Sequence, residues 1–215
     1  MKITWYGHSC FRITKRSFAT VVTDPYDSEV VGYFPLKLAG DIVTISHDAP
    51  GHNYVKGVRG NPHVITGPGE YEIGGVFITA VRTNSHARSK DEQPNTLYVF
   101  DIEGVTVAHL GNLRRVPGQA EIEALGTVDV ALVPVGGGGG LIAAKAAEVV
   151  SLIEPGIVIP MHYATPESKM TKLLPLDRFL KEMGLGKVKP KPELEVKAGN
   201  VPQETDVVVL EYKGS

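Results

Sequence analysis

Seven short runs rich in β-branched and aromatic residues, at positions 3–6, 10–14, 20–23, 42–45, 64–66, 76–81 and 97–100, fill the first hundred residues, with Gly, Pro and Asp between them. Runs of this length between such separators read as strands, so the first half of the chain is mostly sheet. Asp101, Ile102, Glu103 and Gly104 then read as a tight hairpin turn, because Glu103 and Gly104 tolerate the positive φ such turns require, and a strand over 105–109 follows. Beyond it helices and strands alternate. Residues 119–125 read as a helix, 128–135 as a buried strand, 141–153 as a helix with an Ala-rich face and 157–161 as a strand. A helix over 176–183, stopped by Gly184, and a terminal strand over 206–212 complete the pattern. Strands covered on their outer sides by helices are implied.

Bulk properties restrict the partners. With 215 residues, 42% hydrophobic and 21% charged, the chain has an ordinary globular composition and the length of one sizeable domain, 1–215. A formal charge of -2 and a pI near 6.4 give no net attraction for phosphate backbones or anionic lipid, so neither nucleic acid nor a membrane is indicated as partner. Cys10 is the single cysteine and cannot form an internal disulfide; a small buried hydrophobe is its expected role. The opening residues are strand-like rather than a signal-peptide core, and the uncharged stretch 130–144 is broken by Pro134 and five consecutive glycines. A cytoplasmic location is the expectation, with a small molecule as ligand or substrate and the oligomeric state open.

Chemistry-bearing residues gather where strands run out. His47 follows the run 42–45, His86 follows 76–81, His109 lies within 105–110 and His162 follows 157–160. A rigid strand end that projects a side chain into open space is a favoured place for ligand sites. The loop 46–53, Ser-His-Asp-Ala-Pro-Gly-His-Asn, carries His47 and His52. Gly136 to Gly140 could widen a turn or cradle an anion before the helix that opens near Leu141, and the polar stretch 83–95 has the length of a lid or site rim.

In order and spacing the chain resembles the metallo-β-lactamase superfamily, in particular its small branch of L-ascorbate-6-phosphate lactonase-like, Zn-dependent hydrolase-like proteins. The resemblance rests on Trp5-Tyr6-Gly7-His8-Ser9-Cys10-Phe11, Thr23-Asp24-Pro25, Ser46-His47, Gly67-Pro68-Gly69-Glu70-Tyr71, His109-Leu110-Gly111-Asn112, Pro134-Val135-Gly136-Gly137 and Ile159-Pro160-Met161-His162-Tyr163. It implies an α/β (α+β) four-layer αββα sandwich with the site along one edge. The family's HxHxDH motif places its outer histidines on His47 and His52, its middle histidine on Ala49 and its aspartate on Gly51. A later family histidine matches His86, the metal-bridging aspartate falls on Asn112, and the last histidine matches His162.

The resemblance therefore leaves His47, His52, His86 and His162 as candidate metal ligands, with three ligand positions replaced by Ala49, Gly51 and Asn112. His8, Asp24 and His109 are expected behind the ligands or along the cleft. Two adjacent divalent ions repel by several kcal/mol or more even at an effective dielectric of about 20, and imidazoles do not cancel charge as carboxylates do. A conventional dinuclear centre is not expected: either one divalent ion (zinc, manganese or nickel) sits on an atypical histidine set and serves hydrolysis of a small ester, lactone or phosphate ester, or no metal binds and the cleft is catalytically silent.

Overall fold

A computed structural model describes residues 1–83 and 94–214. The first sheet contains β1 (Lys2–Trp5), β2 (Phe11–Thr14), β3 (Val21–Thr23), β5 (Ile42–Thr44), β7 (His63–Ile65) and β14 (Leu194–Glu195), in the order β14-β1-β2-β3-β5-β7. The second contains β8 (Gly69–Ile73), β9 (Val76–Thr83), β10 (Asn95–Ile102), β11 (Val105–His109), β12 (Val130–Pro134), β13 (Ile157–Met161) and β15 (Asp206–Val207). Its order is β15-β13-β12-β11-β10-β9-β8. A two-stranded sheet pairs β4 (Leu38–Ala39) with β6 (Val58–Arg59).

The two large sheets share one core. Ile3, Phe11, Ile13, Val21 and Ile42 from the first belong to the same buried cluster as Ile78, Leu97, Phe100, Val107 and Leu132 from the second. Each fully buried aliphatic or aromatic side chain of this kind stabilises the fold by roughly 1.5–3 kcal/mol. Alternation does the sorting: Val22 and Val43, next to Val21 and Ile42, belong to a second cluster on the other side of the first sheet with Tyr26, Val31 and Tyr33. That outer layer is thin, its helix α1 (Ser28–Val31) having four residues between the Asp27 cap and left-handed Gly32. The other helices are α2 (Gln119–Leu125), α3 (Ala143–Ile153) and α4 (Asp177–Glu182). Leu125, Ala146, Val149, Val150, Phe179 and Leu180 anchor them on the main core.

The hairpin at 101–104 forms with Glu103 at φ 55 and Gly104 at φ 73, and the Gly104 amide donates to Asp101 Oδ1. Several elements differ from sequence expectation, the short α1, β4, β6 and β14 among them. The terminal strand is confined to Asp206–Val207 because only those residues register against Ile157 and Val158. Strand β8 was not expected; Gly-Glu-Tyr-Glu-Ile is half-exposed to exposed throughout and carries little apolar signal, yet it pairs with β9 along its whole length. Tyr98 joins the sheets near their edge, its hydroxyl lying 2.8 Å from the Ile45 carbonyl and 3.0 Å from that of Ile65. Among the described residues no helix is long and apolar enough to cross a membrane.

Candidate metal centre

The site is built on Asp24, which stands at the end of β3 with φ 39 and is fully buried. Its carboxylate accepts hydrogen bonds from the Ser46 amide (2.7 Å), the Ser46 hydroxyl (2.6 Å) and His52 Nδ1 (2.8 Å). Burial opposes ionisation, but the neighbouring imidazoles of His109 and His52 hold the carboxyl down to about 2. Asp24 therefore remains an anion at neutral pH. It fixes His52 as the Nδ1–H tautomer and leaves the Nε2 lone pair facing into the cleft.

Ser46 spreads this control to the next residue. Its hydroxyl donates to Asp24, so at His47 it acts as acceptor for Nδ1–H at 3.0 Å, and His47 too presents Nε2 unprotonated. The His47 ring packs 4.1 Å from that of His52, and burial holds His47 down to about 4. The turn between them is closed by His52 N–H donating to Ala49 O at 2.8 Å.

His8 and His162 arrive from elsewhere in the chain. His8 follows Gly7 in the turn after β1, with φ 51, and His162 follows β13 with φ 54; the His162 amide donates to the His8 carbonyl at 3.0 Å. His8 Nε2 lies 3.2 Å from His52 Nε2, and the His8 and His162 ring centres are 4.2 Å apart. His8, His52 and His162 are all buried and offer one ligand nitrogen each, all within 4.8 Å of one another. Burial lowers His8 well below the usual histidine range and His162 to about 3, so these rings are neutral lone-pair donors. His8 Nδ1 and His162 Nδ1 are buried without a hydrogen-bond partner.

This donor set fits a single ion. Two nitrogens bound to one zinc at 2.0–2.1 Å in tetrahedral geometry stand about 3.3–3.4 Å apart, and the His8–His52 pair is already at 3.2 Å. The spread to 4.8 Å across the trio requires His162 or His8 to move inward. Zinc, nickel and cobalt suit imidazole sets.

The remaining sequence candidates have definite places, except His86, which lies outside the described residues together with most of the polar stretch 83–95. His109 is fully buried, with Nε2–H donating to Ser9 O (2.9 Å) and Nδ1 accepting from the Gly111 amide (3.3 Å). Both its nitrogens are thereby occupied. Asn112 donates its amide N–H to Asn95 Oδ1 at 2.9 Å, while its own Oδ1 is buried, unpartnered, and abuts Gly140. The residue to its left, Gly111, has φ 58 and passes so close to Ser46 that a Cβ there would stand 2.5 Å from the serine Cβ. Asp48 is exposed and holds the Asn53 side chain. In the glycine run 136–140 the two ends are fixed by packing, a Cβ on Gly136 standing 2.3 Å from the His162 carbonyl and one on Gly140 colliding with Asn112 Oδ1, while Gly137, Gly138 and Gly139 turn the chain at positive φ. Asn95, which also donates to Leu110 O, organises this side of the site and was not singled out from sequence.

A cavity of about 300 Å3 opens beside the cluster, lined by Ser46, His47, Asp48, Thr66, Arg82 and Thr96. A larger cleft of about 510 Å3, by Met1, Arg12, Lys15 and Glu195, shares no residue with the cluster and brings no histidine with it. The small cavity adjoins the cluster through Ser46 and His47, which pack on His52, whereas the larger cleft does not touch it.

Comparison with known proteins assigns the family. The family model of the beta-lactamase superfamily domain matches residues 2–162. A UPF0173 protein of Pyrococcus furiosus is 30% identical over 195 residues, covering 77% of this chain and 84% of that protein. A UPF0173 metal-dependent hydrolase of Thermoplasma acidophilum is 27% identical over 191 residues, with 77% and 84% covered. Among solved structures, a candidate Zn-dependent hydrolase of the metallo-beta-lactamase superfamily from Thermotoga maritima superposes with a TM-score of 0.78 at 39% identity, covering 97% of both chains. With the two-sheet fold and the histidine cluster at its edge, these matches place the present chain in the metallo-β-lactamase superfamily, among relatives of metal-dependent hydrolases.

Proposed function

We propose that this protein keeps the superfamily's cleft but works with one divalent ion in place of two, and that the reaction open to it is hydrolysis of a small ester, lactone or phosphate ester. The observation that carries this reading is the balance of charge against donors. Three buried imidazoles share one space, while Asp24, the carboxylate hydrogen bonded to the cluster among the described residues, is already committed to Ser46 and His52. In the family resemblance the carboxylate positions fall on Gly51 and Asn112. One dication can be accommodated by this arrangement; a second would bring two further positive charges with no anionic ligand to offset them.

A divalent ion held by His8, His52 and His162 would polarise a substrate oxygen and acidify a water. The chain's own residues do the positioning. Asp24 holds His52 in one tautomer, Ser46 does the same for His47, and burial keeps His8, His47 and His162 unprotonated at neutral pH. The adjoining cavity, at the lower end of the range for small-molecule sites, suits a small substrate, with Arg82 and the threonines available to orient it.

A catalytically silent cleft is the competing reading, favoured by the run Asp24–His52–His8, which engages both nitrogens of His52 in hydrogen bonds, and by the 4.8 Å spread of the ligand nitrogens. Metal analysis after purification with zinc, manganese and nickel each supplied separates the two. About one equivalent of metal per chain supports the one-ion reading; two equivalents, or none, overturns it.

A further inference from the structure

The outer face of the first sheet is covered only in part. The cluster around Tyr26 and Tyr33 takes in Val22 and Val43 but not the Lys2–Thr14 pair of β1 and β2, which is left half-buried. The cleft of about 510 Å3 lies over that end of the sheet. Strands β1 and β3 run away from it and β2 runs toward it, so it occupies the end opposite the histidine cluster, whose His8 and Asp24 follow β1 and β3.

Charge sets this cleft apart from the rest of the surface. Its lining carries five cations, Lys2, Arg12, Lys15, Arg16 and Lys197, and one carboxylate, Glu195, although the formal charge of the whole chain is -2. Two of the cations are neutralised, Lys2 by Glu193 at 2.7 Å and Lys15 by Glu103 of the second-sheet hairpin. Arg12, Arg16 and Lys197 form no ion pair among the described residues, so with Glu195 set against them a surplus of two positive charges remains. Lys2 stands opposite both Thr14 and Glu195, and Met1 continues the pairing with Val196, which brings Arg16 and Lys197 to either side of the start of β1. The frame is fixed at several points. Arg12 Nε donates to the Ala39 carbonyl at 3.0 Å, which orients the guanidinium. The turn bearing Arg16 holds Ser17 at φ 69 and is pinned by Phe18 N–H donating to Lys15 O and Ala19 N–H to Gly74 O.

We propose that this cleft binds a small molecule through a phosphate group, at a site separate from the candidate metal centre. A phosphate ester carries close to two negative charges at neutral pH, which matches the surplus here, where a carboxylate supplies one. Guanidinium forks, an ammonium group and the hydroxyls of Thr14 and Thr20 are donors suited to phosphate oxygens. The cleft has the volume of a small-molecule site. None of the described residues lining it is aromatic, so nothing there stacks on a nucleobase. A long polyanion such as nucleic acid would run from the cleft onto surface of net negative charge, since the surplus cations are gathered here in a chain that is negative overall.

The test is calorimetric titration of the full chain with inorganic pyrophosphate, as purified and again after chelator treatment. One pyrophosphate should bind per chain in both samples, with affinity falling as sodium chloride is raised. Arg16→Ala with Lys197→Ala, both at exposed positions, should weaken binding by at least about tenfold, as the loss of two charge-assisted contacts does. Glu195→Gln, which removes the opposing carboxylate, should tighten it about two- to threefold. That gain keeps the test independent of damage to the fold, because a damaged cleft does not bind better. Absence of binding up to about 10 mM pyrophosphate overturns the proposal. Binding that disappears with the chelator belongs to a metal ion and overturns it as well, as does binding that neither variant changes. A short single-stranded oligonucleotide or citrate that displaces pyrophosphate at lower concentration would overturn the assignment of the ligand, making the cleft a nucleic-acid surface in the first case and a carboxylate site in the second.

Discussion

Two buried histidine regions lie side by side in this molecule and differ in one respect. Around His109, at the end of β11, every polar ring atom has a partner from the chain: Ser9 O on one side and Gly111 N–H on the other. Around His8 and His162, equally buried, a ring nitrogen of each is left over. Burial of a histidine therefore says little about its work, whereas an unpartnered buried nitrogen costs roughly 1–3 kcal/mol and marks a ring that the fold itself does not fully satisfy.

The largest expected effect falls on the residue both regions share as a neighbour. Asp24→Ala removes the acceptor for Ser46 N–H, Ser46 O–H and His52 Nδ1–H, all buried, and should destabilise the protein by about 3–5 kcal/mol in a denaturant melt. A loss below about 1 kcal/mol would mean that the cluster is not held by this carboxylate.

Acid should come next. The ordinary histidine value is 6.5, while burial holds His47 down to about 4 and His162 to about 3 in the folded chain. Between those values the unfolded chain binds protons that the folded one does not, so stability of the metal-free protein falls as pH drops from about 6.5 toward 3. Asp24, held near 2, adds a further loss only below about 4. Urea midpoints across pH 7 to 4 that stay flat would break the claim that these rings are neutral.

The contrast between the two regions predicts opposite responses to truncation. His109→Ala strands Ser9 O and Gly111 N–H and opens a cavity, so about 2–4 kcal/mol of stability should go while zinc stoichiometry stays unchanged. His162→Ala deletes a ring whose Nδ1 had no partner and should lower stability by no more than about 1–2 kcal/mol, while zinc binding is lost. The reverse pattern, read by calorimetry and metal analysis on both variants, would erase the distinction.

Much of this arrangement is legible in the sequence alone. The strand ends at Thr23, Thr44, His109 and Met161 follow from β-branched runs, and those ends place Asp24, His47 and His162 at one edge. Strand β8 was hidden because Glu70 and Glu72 interrupt its apolar signal, its place being secured by pairing with β9 rather than by burial. The position of His8 was hidden for a different reason. It meets His52 across 44 residues and His162 through the left-handed turns at both positions, and no local pattern encodes that meeting. The resemblance lets Ala49, Gly51 and Asn112 be read on family ligand positions, whereas the closeness of Gly51 to the His8 ring is a feature of three dimensions alone.

The amide of His162 reaches across to the carbonyl of His8, and in doing so it ties the end of a second-sheet strand to the first turn of the first sheet. An ion held by His8, His52 and His162 would lie on that same seam. In a chain whose single cysteine rules out an internal disulfide, such an ion would act as a removable staple between the two halves of the sandwich. Loading would then slow unfolding of an already folded chain, and a chelator would release the halves from each other without having been needed to bring them together.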